Sequence, residues 1–216
     1  MPKRGLELGL DEAGRGPILG PLVLACVVLT ERATEELRRL GVADSKRFGA
    51  GASAHQARTE LCRHIERWAD HVGVATIEPV EIDARRGQLN HLEREHAERL
   101  IGTAPPVTRI WADGSRLFAP LQARFPHLTA EDKAESAHIC VAAASVVAKV
   151  RRDELWLRIL RRYQGEFGAL LEGHAGGGYP NETTRRFLRA YCMRYRQLPP
   201  EARQSWPTEY LNDLLT

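Results

Sequence analysis

Only four cysteines occur in the sequence, Cys26, Cys62, Cys140 and Cys192, and no two of them form a C-x-x-C pair. That scatter excludes a disulfide framework, argues against a zinc site and reads as reduced thiols. Long hydrophobic runs are missing too. The longest apolar stretch, Ile18 to Leu29, contains a glycine and a proline and is too short to span a bilayer. The opening residues, Met1 to Gly5, have no apolar core of a signal peptide, so the expected location is the cytoplasm. Repeats and linker-like stretches are absent. Charge imbalance is small: a net +3 permits nucleic-acid binding without demanding it.

What remains is a globular composition, 43% hydrophobic and 27% charged. A chain of 216 residues suits one domain spanning 1–216, with an α/β core over about 5–165 and a helical portion over about 166–216. Gly5 to Leu10 alternates polar and apolar residues and predicts a strand ending at Asp11. Pro21 to Thr30 is β-branched and apolar and predicts a second strand. Further strands are expected at Val72–Ile77, at Thr108–Ala112 and, as an edge, at Phe125–Ala130. Helical patterns cover Glu31–Leu40, Ser53 to about Asp70, a short piece opened by Pro79, Gln88–Ile101, Ser136 to about Gln164, Thr183–Arg196, and Tyr210–Leu215. Val141 to Val147 is so rich in Ala and Val that its helix must lie buried against a sheet. Strands alternating with helices make the fold class α/β, with an added helical C-terminal portion.

The chemistry begins where the first strand meets a glycine-rich turn. Asp11 and Glu12 stand side by side there, and a strand that bends at once would let both carboxylates approach one site. On its own, such a pair reads as an acidic surface pair capping a turn. Asp113 sits in a similar place, between a strand and Gly114, where an Asp-Gly turn would look the same. Together the strand ends offer the oxygen ligands that Mg²⁺ prefers, and such clusters suit phosphoryl transfer. Gly14-Arg15-Gly16 follows directly. Its glycines allow close approach of a nucleic-acid backbone, and Arg15 adds a fork for phosphate. Lys46 is a further candidate phosphate contact. These residues by themselves point to an acidic, metal-binding site near a phosphate-binding loop and do not identify the nucleic acid.

The run Asp11-Glu-Ala-Gly-Arg-Gly-Pro17, followed by Gly20-Pro21, closely resembles the signature of ribonuclease HII. Ala43-Asp-Ser-Lys46, Trp111-Ala-Asp-Gly114, the Ala142 to Asp153 helix and Gly176-Gly-Gly-Tyr-Pro180 are similar to that family's later motifs, in the family's order. The resemblance implies a ribonuclease H-like fold, a mixed five-stranded sheet flanked by helices. It implies an endonuclease that hydrolyses the RNA strand of RNA–DNA hybrids, and nicks at ribonucleotides embedded in duplex DNA, by metal-activated water. The products would carry 3′-hydroxyl and 5′-phosphate ends. By the same resemblance Asp11, Glu12 and Asp113 would hold Mg²⁺ or Mn²⁺, and Gly14, Arg15 and Gly16 would contact ribose 2′-hydroxyls. Tyr179 would stack on the deoxyribose that follows the ribonucleotide. Ser145 and Lys149, one helical turn apart, would face the nucleic acid. The expected partners are RNA–DNA hybrid and ribonucleotide-containing DNA, with no membrane, and the expected state is a monomer.

One position departs from the family pattern. The fourth carboxylate, usually an aspartate ten residues before the serine of the A-A-S segment, falls on Glu135. Its K-A-E-S setting resembles the sister family, ribonuclease HIII. Glu135 is taken as the fourth ligand over Asp132, which lies three residues upstream. The alternatives are therefore ribonuclease HIII-like specificity for long hybrids only, or a catalytically weak hybrid-binding protein. Metal-activated water makes a general-base role for His138 or His174 unnecessary.

Overall fold

The computed structural model describes residues 5–43, 49, 52–171 and 177–215. In chain order the elements are β1 (Glu7–Ala13), β2 (Leu22–Leu29), α1 (Glu31–Arg39), α2 (Ala52–Trp68), β3 (His71–Ile77) and α3 (Pro79–Ala84). They continue with α4 (Leu89–Thr103), β4 (Arg109–Asp113), α5 (Ser115–Phe118), β5 (Leu128–Glu131), α6 (Ile139–Leu171) and α7 (Glu182–Tyr195). The chain divides into two compact units. One comprises the described residues up to Ala13, Val23–Thr76 and Asn90–Arg151. The other comprises Gly14–Leu22, Ile77–Leu89 and Arg152 onward.

The first unit is built on a five-stranded sheet in the order β3-β2-β1-β4-β5. β1 runs antiparallel to β2, from Glu7 opposite Leu29 to Ala13 opposite Val23. It runs parallel to β4, which runs parallel to β5, so the sheet is mixed. All eight residues of β2 are buried, which marks a strand covered on both faces by helices. The small-residue start of α6 lies directly on β1. A Cβ added at Gly9 would sit 2.1 Å from the Cys140 carbonyl carbon, so only glycine admits the helix backbone there. Val141 through Ala148 are all buried, as the Ala/Val run requires. The expected α/β class, with its five strands, flanking helices and C-terminal helices, is the observed one.

The second unit is helical, with an aromatic core in which Tyr163, Phe167, Phe187 and Tyr191 pack ring against ring at 5.1–6.3 Å. Asn181 caps α7 by accepting the Thr184 N–H at 2.9 Å. Ile18 and Leu19 of the segment after β1 are buried in this core, and Leu19 bridges to Ala202. Asp83, near the end of α3, accepts the backbone N–H groups of Gln204 and Ser205 and pins the C-terminal segment.

Several boundaries differ from the sequence reading. β1 continues two residues past Asp11, because Glu12 and Ala13 keep pairing with Leu24 and Val23. α6 starts at Ile139, since Lys133 adopts a left-handed φ of 63° and residues Ala134–Ser136 form a separate 3₁₀ turn. It extends to Leu171, with non-helical dihedrals at Phe167. α5 and the 3₁₀ turn Ala119–Ala123 were not anticipated, and the tail forms a 3₁₀ turn at Glu209–Leu211 rather than a longer helix. All four cysteines are free and buried, as reduced thiols should be. Among the described residues no helix is long and apolar enough to cross a membrane.

Candidate active site

Asp11 lies on the central strand with 5% of its surface exposed. Burial pushes its carboxyl up from 3.8 to about 6, against the Ser145 hydroxyl and the Glu12 N–H, which favour the charged form. The nearby Asp113 carboxylate adds to the rise and Lys149 opposes it. Desolvation is the largest of these effects and outweighs the stabilising hydrogen bonds and the Lys149 charge. The Glu12 N–H donates to Asp11 Oδ1 at 2.8 Å, and Lys149 Nζ donates to Ser145 Oγ at 2.8 Å. A relay therefore runs from Lys149 through Ser145 to Asp11, and its two helical members are one turn apart on α6.

Asp113 ends β4, where Gly114 takes a φ of 104° and turns the chain. Its Oδ1 accepts the Ala134 N–H at 3.0 Å. That bond ties the strand end to the 3₁₀ turn that carries Glu135, a buried carboxylate with 5% exposure. Asp132 is committed elsewhere. Its carboxylate accepts the Ser115 N–H at 2.8 Å on the exposed surface, and this bond with a second from the Ser115 side chain holds it below the usual carboxylate range. His138 is committed as well, stacked on Trp111 with ring centroids 3.7 Å apart and Nε2 3.5 Å from Glu131.

The bend expected at Asp11 does not occur. β1 runs on in register through Ala13, with Glu12 opposite Leu24 and Ala13 opposite Val23. It is the Glu12 backbone that reaches the Asp11 carboxylate. Among the described residues, no three His, Cys, Asp or Glu side chains are gathered tightly enough to ligate one ion. Asp11 and Asp113 are close enough for the Asp113 charge to raise the Asp11 carboxyl. Two carboxylates, one of them buried, are a hard-oxygen donor set suited to Mg²⁺ or Mn²⁺.

The second unit holds the glycine-rich segment. Gly14 has a φ of +91°, which the turn out of β1 requires. The ring of Tyr179 lies against Gly16, where an added Cβ would be 2.9 Å from Tyr179 Cε1, and that ring is 50% exposed. The Gly178 carbonyl accepts the N–H groups of Ile18 at 2.9 Å and Leu19 at 3.2 Å. The two segments named by motif, 14–16 and 177–180, thus belong to one local structure. Two residues that sequence reasoning missed organise it. Arg203 is fully buried and donates to the carbonyls of Gly14, Arg15 and Gly20. Arg152 donates to the carbonyls of Leu19 and Gly177. Arg152 stood inside a quoted motif, but nothing in the sequence distinguished Arg203 from the chain's other arginines. Lys46 and His174 lie outside the described residues.

A sequence model described as Ribonuclease HII matches residues 8–209. Ribonuclease HII of Thermococcus sibiricus is 36% identical over 210 residues, covering 93% of this chain and 88% of that protein. The crystal structure of ribonuclease H2 from Pyrococcus horikoshii superposes with a TM-score of 0.80 at 30% identity, over 97% of each chain. The ribonuclease HII of the PCNA complex from Archaeoglobus fulgidus gives 0.76 at 29% identity, over 94% of this chain and 95% of that one. With a family match from the second residue of β1 to the final 3₁₀ turn, and relatives alike along nearly their whole length, this chain belongs to the ribonuclease HII family.

Proposed function

We propose that the protein, a ribonuclease H endonuclease, hydrolyses the RNA strand of RNA–DNA hybrids and also nicks at ribonucleotides embedded in duplex DNA. In this reaction a water oxygen bonds to phosphorus and the P–O3′ bond breaks. The 3′ oxygen leaves as a hydroxyl and the phosphate stays on the 5′ end. The observation that carries the reading is Asp11, a buried carboxylate beside Asp113 whose carboxyl burial raises to about 6. Asp11, Glu12, Asp113 and Glu135 are assigned to a divalent cation, which when bound supplies a polarised water and neutralises charge at the leaving oxygen. Lys149 and Ser145 orient Asp11 and contact the nucleic acid.

Gly14, Arg15 and Gly16 are assigned to the ribose 2′-hydroxyl, the group by which RNA is told from DNA. Tyr179 offers an exposed ring for stacking on the sugar that follows, and Lys46 is assigned to phosphate. The proposal includes a monomeric state and a cytoplasmic location. The test is cleavage of three duplexes by purified protein: one with a single ribonucleotide, a continuous RNA–DNA hybrid, and all DNA. Cutting of the first two with Mg²⁺ or Mn²⁺, none with EDTA, and an intact all-DNA duplex are expected. A single-ribonucleotide duplex left intact under both metals overturns the nicking activity. Strong preference for the continuous hybrid favours the ribonuclease HIII-like reading, which Glu135 in its K-A-E-S setting supports.

A further inference from the structure

Two arginines in the second unit are buried far more deeply than surface charge requires. Arg203 has no exposed surface and Arg152 has 4%. A guanidinium does not shed its charge at working pH, so its burial costs stability unless its donors are met. Arg203 directs Nε to the Gly20 carbonyl at 2.9 Å, Nη1 to Arg15 at 3.0 Å and Nη2 to Gly14 at 2.6 Å. Its plane also lies over Trp206, 4.9 Å from the ring centroid. Arg152 directs Nη2 to Leu19 at 2.9 Å and to Gly177 at 2.6 Å, while its Nε and Nη1 meet no acceptor among the described residues. An apolar side chain at 152 would serve the fold at lower cost, so what keeps the arginine there is the position of the two carbonyls it joins.

We propose that Arg203 and Arg152 are positioning residues for the ribose-reading loop, a role that rests on the function proposed above. In a trans peptide the C=O and the following N–H point in opposite directions, and no peptide bond described here is cis. By drawing the carbonyls of Gly14 and Arg15 inward, Arg203 turns the N–H groups of Arg15 and Gly16 away from itself. Those are the donors a 2′-hydroxyl or phosphate oxygen would meet. Arg152 fixes the spacing between this loop and the segment that carries Tyr179, whose ring rests on Gly16. The planar fork is essential here: a lysine ammonium is a point donor and cannot hold three carbonyls set along one plane.

The experiment is steady-state cleavage by the full chain of a single-ribonucleotide duplex and a continuous hybrid, comparing wild type with R203M, R203K and R152M. R203M is expected to raise KM about 10-fold or more, the loss of one charged hydrogen bond, with kcat within about threefold. R203K should fall between R203M and wild type. R152M should lose preference for the single ribonucleotide more than it loses cleavage of the hybrid. A purely structural role would lower kcat in step with the folded fraction and leave KM and substrate preference unchanged, and that result overturns the proposal. Should R203M not fold, a folded R203K with wild-type KM overturns it equally. Wild type that cuts neither substrate would sink the proposed function itself, a failure visible before any variant is compared.

Discussion

Asp11 makes a prediction about stability that runs against its importance for activity. Its carboxyl is raised from 3.8 to about 6 by burial, so between those values the folded chain holds a proton that the unfolded chain has lost. The stability that belongs to this group is therefore fully present below pH 3.8 and is lost as pH rises through about 6. At ~1.4 kcal/mol per pH unit, the charged form costs the cation-free fold about 3 kcal/mol above pH 7. With 5% of the residue exposed, solvent screening reduces this little. Asp11→Asn carries no charge and removes that cost. It adds an amide NH₂ that must find a new partner, which takes back about 1 kcal/mol. In EDTA at pH 8 the variant should be about 2 kcal/mol more stable by urea unfolding, an advantage that shrinks through pH 5, disappears at about pH 4.5 and reverses below it. It should cleave nothing, and Mn²⁺ should stabilise wild type but not the variant. Equal stabilities at pH 8, or an advantage indifferent to pH, would refute the reasoning, because both mean that burial does not tax the Asp11 charge.

Gly9→Ala places a methyl 2.1 Å from the α6 backbone, which cannot yield, so a loss of ~3 kcal/mol or more is expected in thermal or urea unfolding. Gly16→Ala meets only the movable ring of Tyr179 at 2.9 Å, so it should leave the melting temperature nearly unchanged yet weaken single-ribonucleotide cleavage in a KM measurement. Tyr179→Ala should cost about 1–3 kcal/mol of substrate binding, the worth of one stacked ring, and reduce junction preference more than hybrid cleavage. Glu135→Asp should retain cleavage with Mg²⁺, and a folded but inactive variant would count against Glu135 as the fourth ligand.

How much of this was readable from sequence depends on how far apart the cooperating residues lie. The β1 and β2 strands, the buried Ala/Val helix and the helix over 183–196 were readable because each is a local pattern of hydrophobic periodicity. Asp11, Glu12 and the Gly14–Gly16 turn were readable because seven consecutive residues carry them. The geometry at Asp11 was not. Whether the strand bends or continues at Asp11 is settled by pairing with Val23 and Leu24 on another strand, and the sequence on either side of Asp11 has no mark of it. The same holds for Asp132 and Glu135, three residues apart and both acidic. Only the left-handed turn at Lys133 separates an exposed cap of α5 from a buried carboxylate.

Arg203 marks the limit of such reading. It meets Gly20 across 183 residues of chain, and its neighbours in sequence, Ala202 and Gln204, have no part in the three carbonyls that it holds. Surface arginines and this one look alike until the fold shows which is buried. A motif reports side chains that act from adjacent positions. What arranges the backbone of that motif comes from wherever the fold can bring a planar, permanently charged donor, and burial is the measurement that finds it. The segment 199–206 therefore matters to the Gly14–Gly16 loop as much as the loop's own residues do. Deleting the chain from Pro199 onward should raise KM for the single-ribonucleotide duplex at least as far as R203M does, because it removes the guanidinium that holds the carbonyls of Gly14, Arg15 and Gly20.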